Sequence, residues 1–216
     1  MTNTATKIET RADYRDFLAA DLAAAGMDRW RFDDQWRAPV VKYMRLLRRV
    51  EYLRTRRGAT ARILRFWARF RMQAVGVRTG ITLPPGVAGP GVSIAHYGTL
   101  VVNTRAKIGA GTRLHPGVTI GIANGGVPQI GERVYIGPNA VLYGGITVGD
   151  EAVIGANSVV NRDVPAGVTV AGSPAKVIAK RGSAERMPAG SVDADKQTDT
   201  ADRGNADRAR AGAHRE

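Results

Sequence analysis

Three histidines and no cysteine frame the chemistry open to this 216-residue chain. His214 stands among small and charged residues near the C-terminal end, whereas His96 (in SIAHYGT) and His115 (in LHPGVT) lie in Gly- and Val-rich surroundings. An imidazole titrates near neutral pH, so either could take the proton of a hydroxyl as that hydroxyl attacks. General-base assistance of this kind contributes roughly 10²–10⁴-fold to rate. The lack of cysteine excludes a thiol nucleophile, a disulfide framework and a thiolate zinc site. Two histidines outside the tail are one short of a three-histidine zinc site, so no metal is expected.

What must position these rings is a repeat. Ile130, Ile136, Leu142, Val148, Ile154 and Val160 follow one another at intervals of six, and Val102, Ile108, Leu114 and Ile120 keep the same interval upstream. Glycine follows at 131, 137, 149 and 155, and a small or β-branched residue comes four places after each aliphatic one except Ile120 (Ala106, Thr112, Val118, Val134, Ala140, Ile146, Ala152, Ser158, Val164). Between Ile120 and Ile130 the interval is ten, which places a four-residue excursion within residues 122–128 (IANGGVP). No α-helical face has a period of six. A parallel β-helix does: each flat face takes one hexapeptide, the aliphatic residue points inward, and a small residue allows the corner. Coils of three faces stack into one buried column, roughly four and a half of them over residues 91–171. Counting back unchanged from Val102 puts His96 in an inward slot. An irregular first coil would put it at a corner instead. His115 follows the inward Leu114 and, on an 18-residue coil, stacks beside Tyr97.

Residues 1–80 carry 18 Lys/Arg against 8 Asp/Glu, whereas residues 81–180 carry 7 against 4, so the basic excess belongs to the N-terminal region. That region reads as helices. Thr10 and Asp13 form a capping box ahead of Tyr14, Phe17, Leu18 and Leu22, and Gly26 ends that helix. Val40, Met44, Leu47 and Val50 recur at helical spacing in a second helix, which Gly58 is expected to stop. A third helix from about Thr60 to Val75 has Ile63, Phe66, Trp67 and Phe70 as its apolar face, broken by Arg62, Arg65, Arg69 and Arg71 too often for a membrane span. The arginine-flanked helices allow peripheral contact with an anionic bilayer; no groove-reading motif points to nucleic acid. Residues 183–216 hold no aromatic residue and, of Val, Ile, Leu and Met, only Met187 and Val192, so a disordered tail is expected. The N-terminus has no apolar h-region, and a cytoplasmic location is the expectation.

Residues 93–103 (SIAHYGTLVVN), 114–121 (LHPGVTIG), 136–145 (IGPNAVLYGG), 154–160 (IGANSVV) and 171–178 (AGSPAKVI) resemble the serine acetyltransferase branch of the hexapeptide-repeat acyltransferases. That branch includes relatives in capsule and exopolysaccharide clusters. The resemblance spans about residues 80–180 and implies a mainly β chain: a left-handed, three-sided parallel β-helix over residues 81–182, behind a small helical region at 1–80. It implies acetyl-CoA as co-substrate, a hydroxyl acceptor, a homotrimer or a dimer of trimers, and, through the serine reading, a place in cysteine biosynthesis. It makes His96 the general base and His115 a substrate contact. The donor would lie along Pro138, Ala156, Asn157, Gly172 and Ser173, with Lys176 near the diphosphate. Plainer roles exist for these positions: Pro138, Ala156 and Gly172 in repeat geometry, Lys176 as a solvated charge. A carbonic-anhydrase-type zinc enzyme would share the fold but needs a third histidine. Two departures stand out. Ala95 occupies the place of the acidic residue that usually precedes the catalytic histidine, and Gly126 and Val127 fall where an Arg-His pair usually holds substrate. A neutral sugar hydroxyl needs no such clamp, so serine and saccharide acceptors both stay open.

Overall fold

The computed structural model describes residues 7–187. The expected capping box opens α1 (Arg11–Ala24): the Thr10 hydroxyl accepts from the Asp13 N–H at 3.1 Å, and the Asp13 carboxylate accepts from the Thr10 N–H at 2.7 Å. A short α2 (Asp34–Arg37) leads into α3 (Pro39–Arg54), whose first residue is a proline that has no N–H to leave unpaired. Gly58 does not stop α3, as had been expected. The helix closes at Thr55, and Gly58, at φ 101°, instead sits just before α4 (Ala59–Thr79). That last helix runs four residues beyond the expected Val75. Its expected apolar face is not its packing face. Ala68, Met72, Gly76 and Thr79 are buried, whereas Ile63, Phe66, Trp67 and Phe70 point to solvent. Small residues decide this, because a Cβ on Gly76 would come within 2.8 Å of the Ile81 carbonyl and 3.1 Å of the Tyr43 ring.

From Ile81 the chain winds as a three-sided solenoid. One face stacks β1 (Ile81–Thr82), β3 (Leu100–Val102), β6 (Thr119–Gly121), β9 (Val141–Tyr143) and β12 (Val159–Val160), all parallel. A second face holds β4 (Lys107–Ile108), β7 (Gln129–Ile130) and β10 (Thr147–Val148). The third holds β2 (Ser93–Ile94), β5 (Arg113–Leu114), β8 (Tyr135–Ile136), β11 (Val153–Ile154) and β13 (Thr169–Gly172). After β13 the chain reverses, and β14 (Ala175–Ala179) pairs antiparallel along the outer edge.

All ten aliphatic repeat positions from Val102 to Val160 are buried, as are the nine small or β-branched positions that follow them. Each fully buried Leu, Ile or Val contributes about 1.5–3 kcal/mol relative to exposure. Coils lie so close that a Cβ on Gly109 would be 2.4 Å from the Gly131 carbonyl group. Strand partners are 18 residues apart where the repeat is regular, as for Tyr135 and Val153. They are 22 apart from Arg113 to Tyr135, and the four extra residues form a tight turn in which Ala123 pairs with Gly126 while Asn124 and Gly125 take positive φ.

One buried charge cluster fastens the helices to the first coils. Arg48 on α3 has no solvent exposure. It donates to both Asp21 oxygens of α1 (2.8 and 3.2 Å), to Glu51 (3.1 Å), and to the carbonyls of Ala88 and Gly89 (2.7 Å each). Burial alone would lower the guanidinium pKa, but Asp21 and Glu51 outweigh it and hold Arg48 above its ordinary value. The Tyr43 hydroxyl donates to the Leu83 carbonyl (2.9 Å) and accepts from the Leu83 N–H (3.2 Å), so the strand edge beyond β1 is satisfied. The first residues of the expected disordered tail are placed against the solenoid: Ser183 is buried, its hydroxyl donates to the Arg133 carbonyl, and its N–H donates to Glu151 O at 2.9 Å. Residues 188–216 lie outside the described residues.

Candidate active site

The first coil is irregular. Ile94, not His96, pairs with the inward Leu114, and β2 pairs with β5 at an interval of 20. The surplus residues bulge through Ala95–His96–Tyr97–Gly98 before β3 begins, with Gly98 at φ 145°. His96 therefore leaves the core and stands exposed at the corner between the third and first faces. Among the described residues no hydrogen bond reaches its ring.

The register carries this corner up the whole solenoid. Ala95, His115, Gly137 and Gly155 each follow the inward residue of their coil, and each N–H donates to the next coil, to Leu114, Ile136, Ile154 and Val170 respectively (2.8–3.2 Å). One place further on come Pro116, Pro138, Ala156 and Gly172, a column along the edge; at its lower end Pro116 packs on Gly98, and His96 stands in the bulge two residues before that glycine. Next to it run Asn139 and Asn157, both left-handed (φ 59° and 56°), whose N–H groups donate to the Pro116 and Pro138 carbonyls. Asparagine tolerates that conformation better than most residues. Asn139 Nδ2 also donates to Asn157 Oδ1 at 3.2 Å. Ser173 continues this second column, and Lys176 pairs back across from Ala171 at its upper end. The structure thus brings His96, Pro138, Ala156, Asn157, Gly172, Ser173 and Lys176 to one edge, from the first coil to the last.

His115 is half-buried and does not stack beside Tyr97. The surplus residues of the first coil shift the register, so His115 stacks directly above Ala95. Its Nε2 is buried without a partner, and its ring lies 4.9 Å from the Tyr135 ring, tilted by 52°. Burial, then the charge of Arg113, then His96 push its pKa below the ordinary imidazole value, so it is neutral at pH 7. Arg113 and Tyr135 belong to this neighbourhood, and neither was singled out from the sequence. Each immediately precedes an inward residue, so each projects from the third face, and they pair with one another in the ladder. A depression of about 460 Å³ beside them is lined by Ser93, Ala95, Arg113 and Arg186 but not by His96. The tight turn at Ala123–Gly126, where a substrate-holding pair was sought, carries no charged side chain of its own. Arg105 reaches its tip from the preceding coil and donates to Gly125 O at 3.1 Å.

A model of the bacterial transferase hexapeptide (six repeats) matches residues 128–162. The serine acetyltransferase of Helicobacter pylori strain 26695 is 39% identical over 120 residues, covering 53% of this chain and 70% of that protein. This chain belongs to the hexapeptide-repeat acyltransferases of the serine acetyltransferase type. The Mycobacterium tuberculosis serine acetyltransferase is 35% identical over 134 residues, 60% of this chain, and here the match spans only 57% of the relative's length. Among solved structures, Neisseria gonorrhoeae serine acetyltransferase in complex with serine superposes with a TM-score of 0.61 at 29% identity, covering 78% of this chain and 70% of that one.

Proposed function

We propose that this chain transfers an acetyl group from acetyl-CoA to an acceptor hydroxyl, with His96 as general base. The observation that carries the reading is the exposed edge that runs from the His96 bulge past Pro138 and Ala156 to Gly172. Four coil intervals of about 4.8 Å separate its ends by about 19 Å, a path suited to an extended pantetheine arm with its thioester at His96. Pro138, Ala156, Asn157, Gly172 and Ser173 would flank that arm, and the Lys176 ammonium would meet the diphosphate. Residues 81–182 act as the catalytic unit and residues 1–80 support it.

In the proposed reaction His96 takes the acceptor proton as the oxygen attacks the thioester carbon. A backbone N–H of the His96–Tyr97 segment, which the coil-to-coil bonds among the described residues do not use, receives the tetrahedral oxyanion. The C–S bond then breaks, and the imidazolium returns its proton to the leaving thiolate. An exposed ring on an open edge needs a second wall to exclude water, which supports a homotrimer with the donor between neighbouring solenoids; two trimers could pair into a hexamer. His115, half-buried above Ala95, is assigned the second contact with the acceptor. Serine is the first acceptor reading, in a cytoplasmic step toward cysteine. Gly126 and Val127, which carry no charged side chain where a substrate-holding pair would stand, leave a second reading, a saccharide hydroxyl in capsule or exopolysaccharide synthesis. His96→Ala should lower thiol release about 10²–10⁴-fold while CoA binding, read by calorimetry, persists. Unimpaired turnover would remove His96 from the mechanism. A thiol-release screen of serine, homoserine and sugars assigns the acceptor.

A further inference from the structure

The outward face of α4 gathers five of the exposed large hydrophobic side chains of the described residues. Ile63, Phe66, Phe70, Ala74 and Val77 recur at intervals of three and four, and Trp67 stands four after Ile63, which places all six on one stripe about 100° wide. The five large side chains are between 57% and 76% exposed, so this is not a packing face that happens to be grazed by water. The rings lie edge to face along it, Phe66 to Trp67 at 5.8 Å and Trp67 to Phe70 at 6.1 Å. The opposite face, through Ala68, Met72 and Gly76, is the one that docks on the protein.

Charge borders the stripe on both sides. Arg62 and Arg69 lie along one margin and Arg71 and Arg78 along the other, and α4 contains no Asp or Glu. Beside Phe66 an open depression of about 400 Å³ is lined by Arg54, Arg62, Arg65 and Arg69 together with Val50. Among the described residues none of these four guanidinium groups is in an ion pair. An apolar strip between cationic margins matches the layering of an anionic bilayer, with acyl chains below and phosphates level with the arginines. A second copy on the same face would set these arginines against their own equivalents. No helix among the described residues is long and apolar enough to cross a membrane.

We infer that α4 lies in the plane of an anionic phospholipid surface, with Trp67 and Phe70 below the headgroups and Arg62, Arg69, Arg71 and Arg78 at the phosphates. This membrane contact is separate from the acetyl-transfer reading and stands or falls without it. The test is co-sedimentation of the full-length protein with vesicles of phosphatidylcholine alone or with one part in three phosphatidylglycerol. Binding should require the anionic lipid and weaken in high salt. Arg62→Gln with Arg69→Gln should lower partitioning about 25-fold, about fivefold for each cation. Trp67→Ser should lower it by at least about tenfold. These side chains are exposed and lie off the face of α4 that packs on the protein, so melting curves and acetyl transfer to a soluble acceptor should not change. Equal binding to both vesicle types, or unchanged binding by the variants, overturns the inference. So does a drop in assembly mass by light scattering on Trp67→Ser with vesicle binding intact, which would assign the face to contact between copies.

Discussion

Replacing Arg48 with methionine tests how the helical region is held against the solenoid. The guanidinium makes five hydrogen bonds, three to the carboxylates of Asp21 and Glu51 and two to the Ala88 and Gly89 carbonyls, and its charge lies 4.9 Å above the Phe17 ring. Methionine fills much of the volume but leaves buried carboxylates without their cation. Removing one member of a buried ion pair costs about 3–5 kcal/mol. Two abandoned carbonyls add about 1 kcal/mol each. A loss of about 5 kcal/mol is comparable to the whole stability of many domains, so the urea midpoint should collapse. The pH dependence gives a sharper check. Burial raises the Asp21 pKa and Arg48 opposes that rise. In the variant the opposition is gone, so the native state keeps a proton on Asp21 at pH values where the unfolded chain has already lost it. Stability then falls as pH rises above the unfolded carboxylate value, and the variant's deficit should shrink between pH 7 and pH 5. Adding Asp21→Asn should recover part of the loss at pH 7, because the amide oxygen can still accept from the Gly91 N–H. A variant with an unchanged urea midpoint, or with the same deficit at both pH values, would refute this account of the cluster.

Other outcomes follow from the repeat and its edge. Gly109→Ala should lower the melting temperature markedly, since its Cβ would meet the Gly131 carbonyl group and neither backbone can yield; a silent substitution would mean the coils are looser than 2.4 Å implies. Ala156→Tyr, on the exposed edge, should weaken CoA binding in calorimetry by at least about tenfold, the order of one well-placed contact, without moving the melting curve. His115 is depressed in the folded state, so the native protein should lose stability as pH falls below the ordinary imidazole value, where only the unfolded chain takes up the proton. His115→Gln should flatten that part of a pH series of chemical denaturations.

The repeat was legible because one residue type recurs for one reason. The first inward place of each hexapeptide from Val102 to Val160 is aliphatic, and neither an α-helix nor an alternating strand imposes an interval of six. The excursion between Ile120 and Ile130 was equally visible, because the ruler stands on both sides of it. His96 shows where this reasoning runs out. The extra residues after Ile94 lie at the first coil, with no regular repeat beneath to expose the slip, so a ruler drawn back from Val102 misplaces both His96 and the neighbour of His115. The edge that collects Pro138, Ala156 and Gly172 was implied by resemblance, whereas the contribution of Arg113 and Tyr135 was not. Outward residues vary freely in a solenoid, and no spacing marks those that meet a histidine. On α4 the apolar stripe was read correctly but its direction was not. Periodicity reports that a stripe exists, and the buried face was chosen instead by Ala68 and Gly76, which let the backbone approach Tyr43 and Ile81.

The reversal into β14 limits the molecule's growth. A parallel stack of identical coils presents at its end the same unfilled template it began with, and such a template invites another chain. By turning back against β13, the final strand offers a donor and acceptor sequence running the wrong way for a further coil, with Lys176 and Lys180 charged along it. A protein made of repeats that could polymerise end to end is thereby kept to a finite length, and association is left to its flanks.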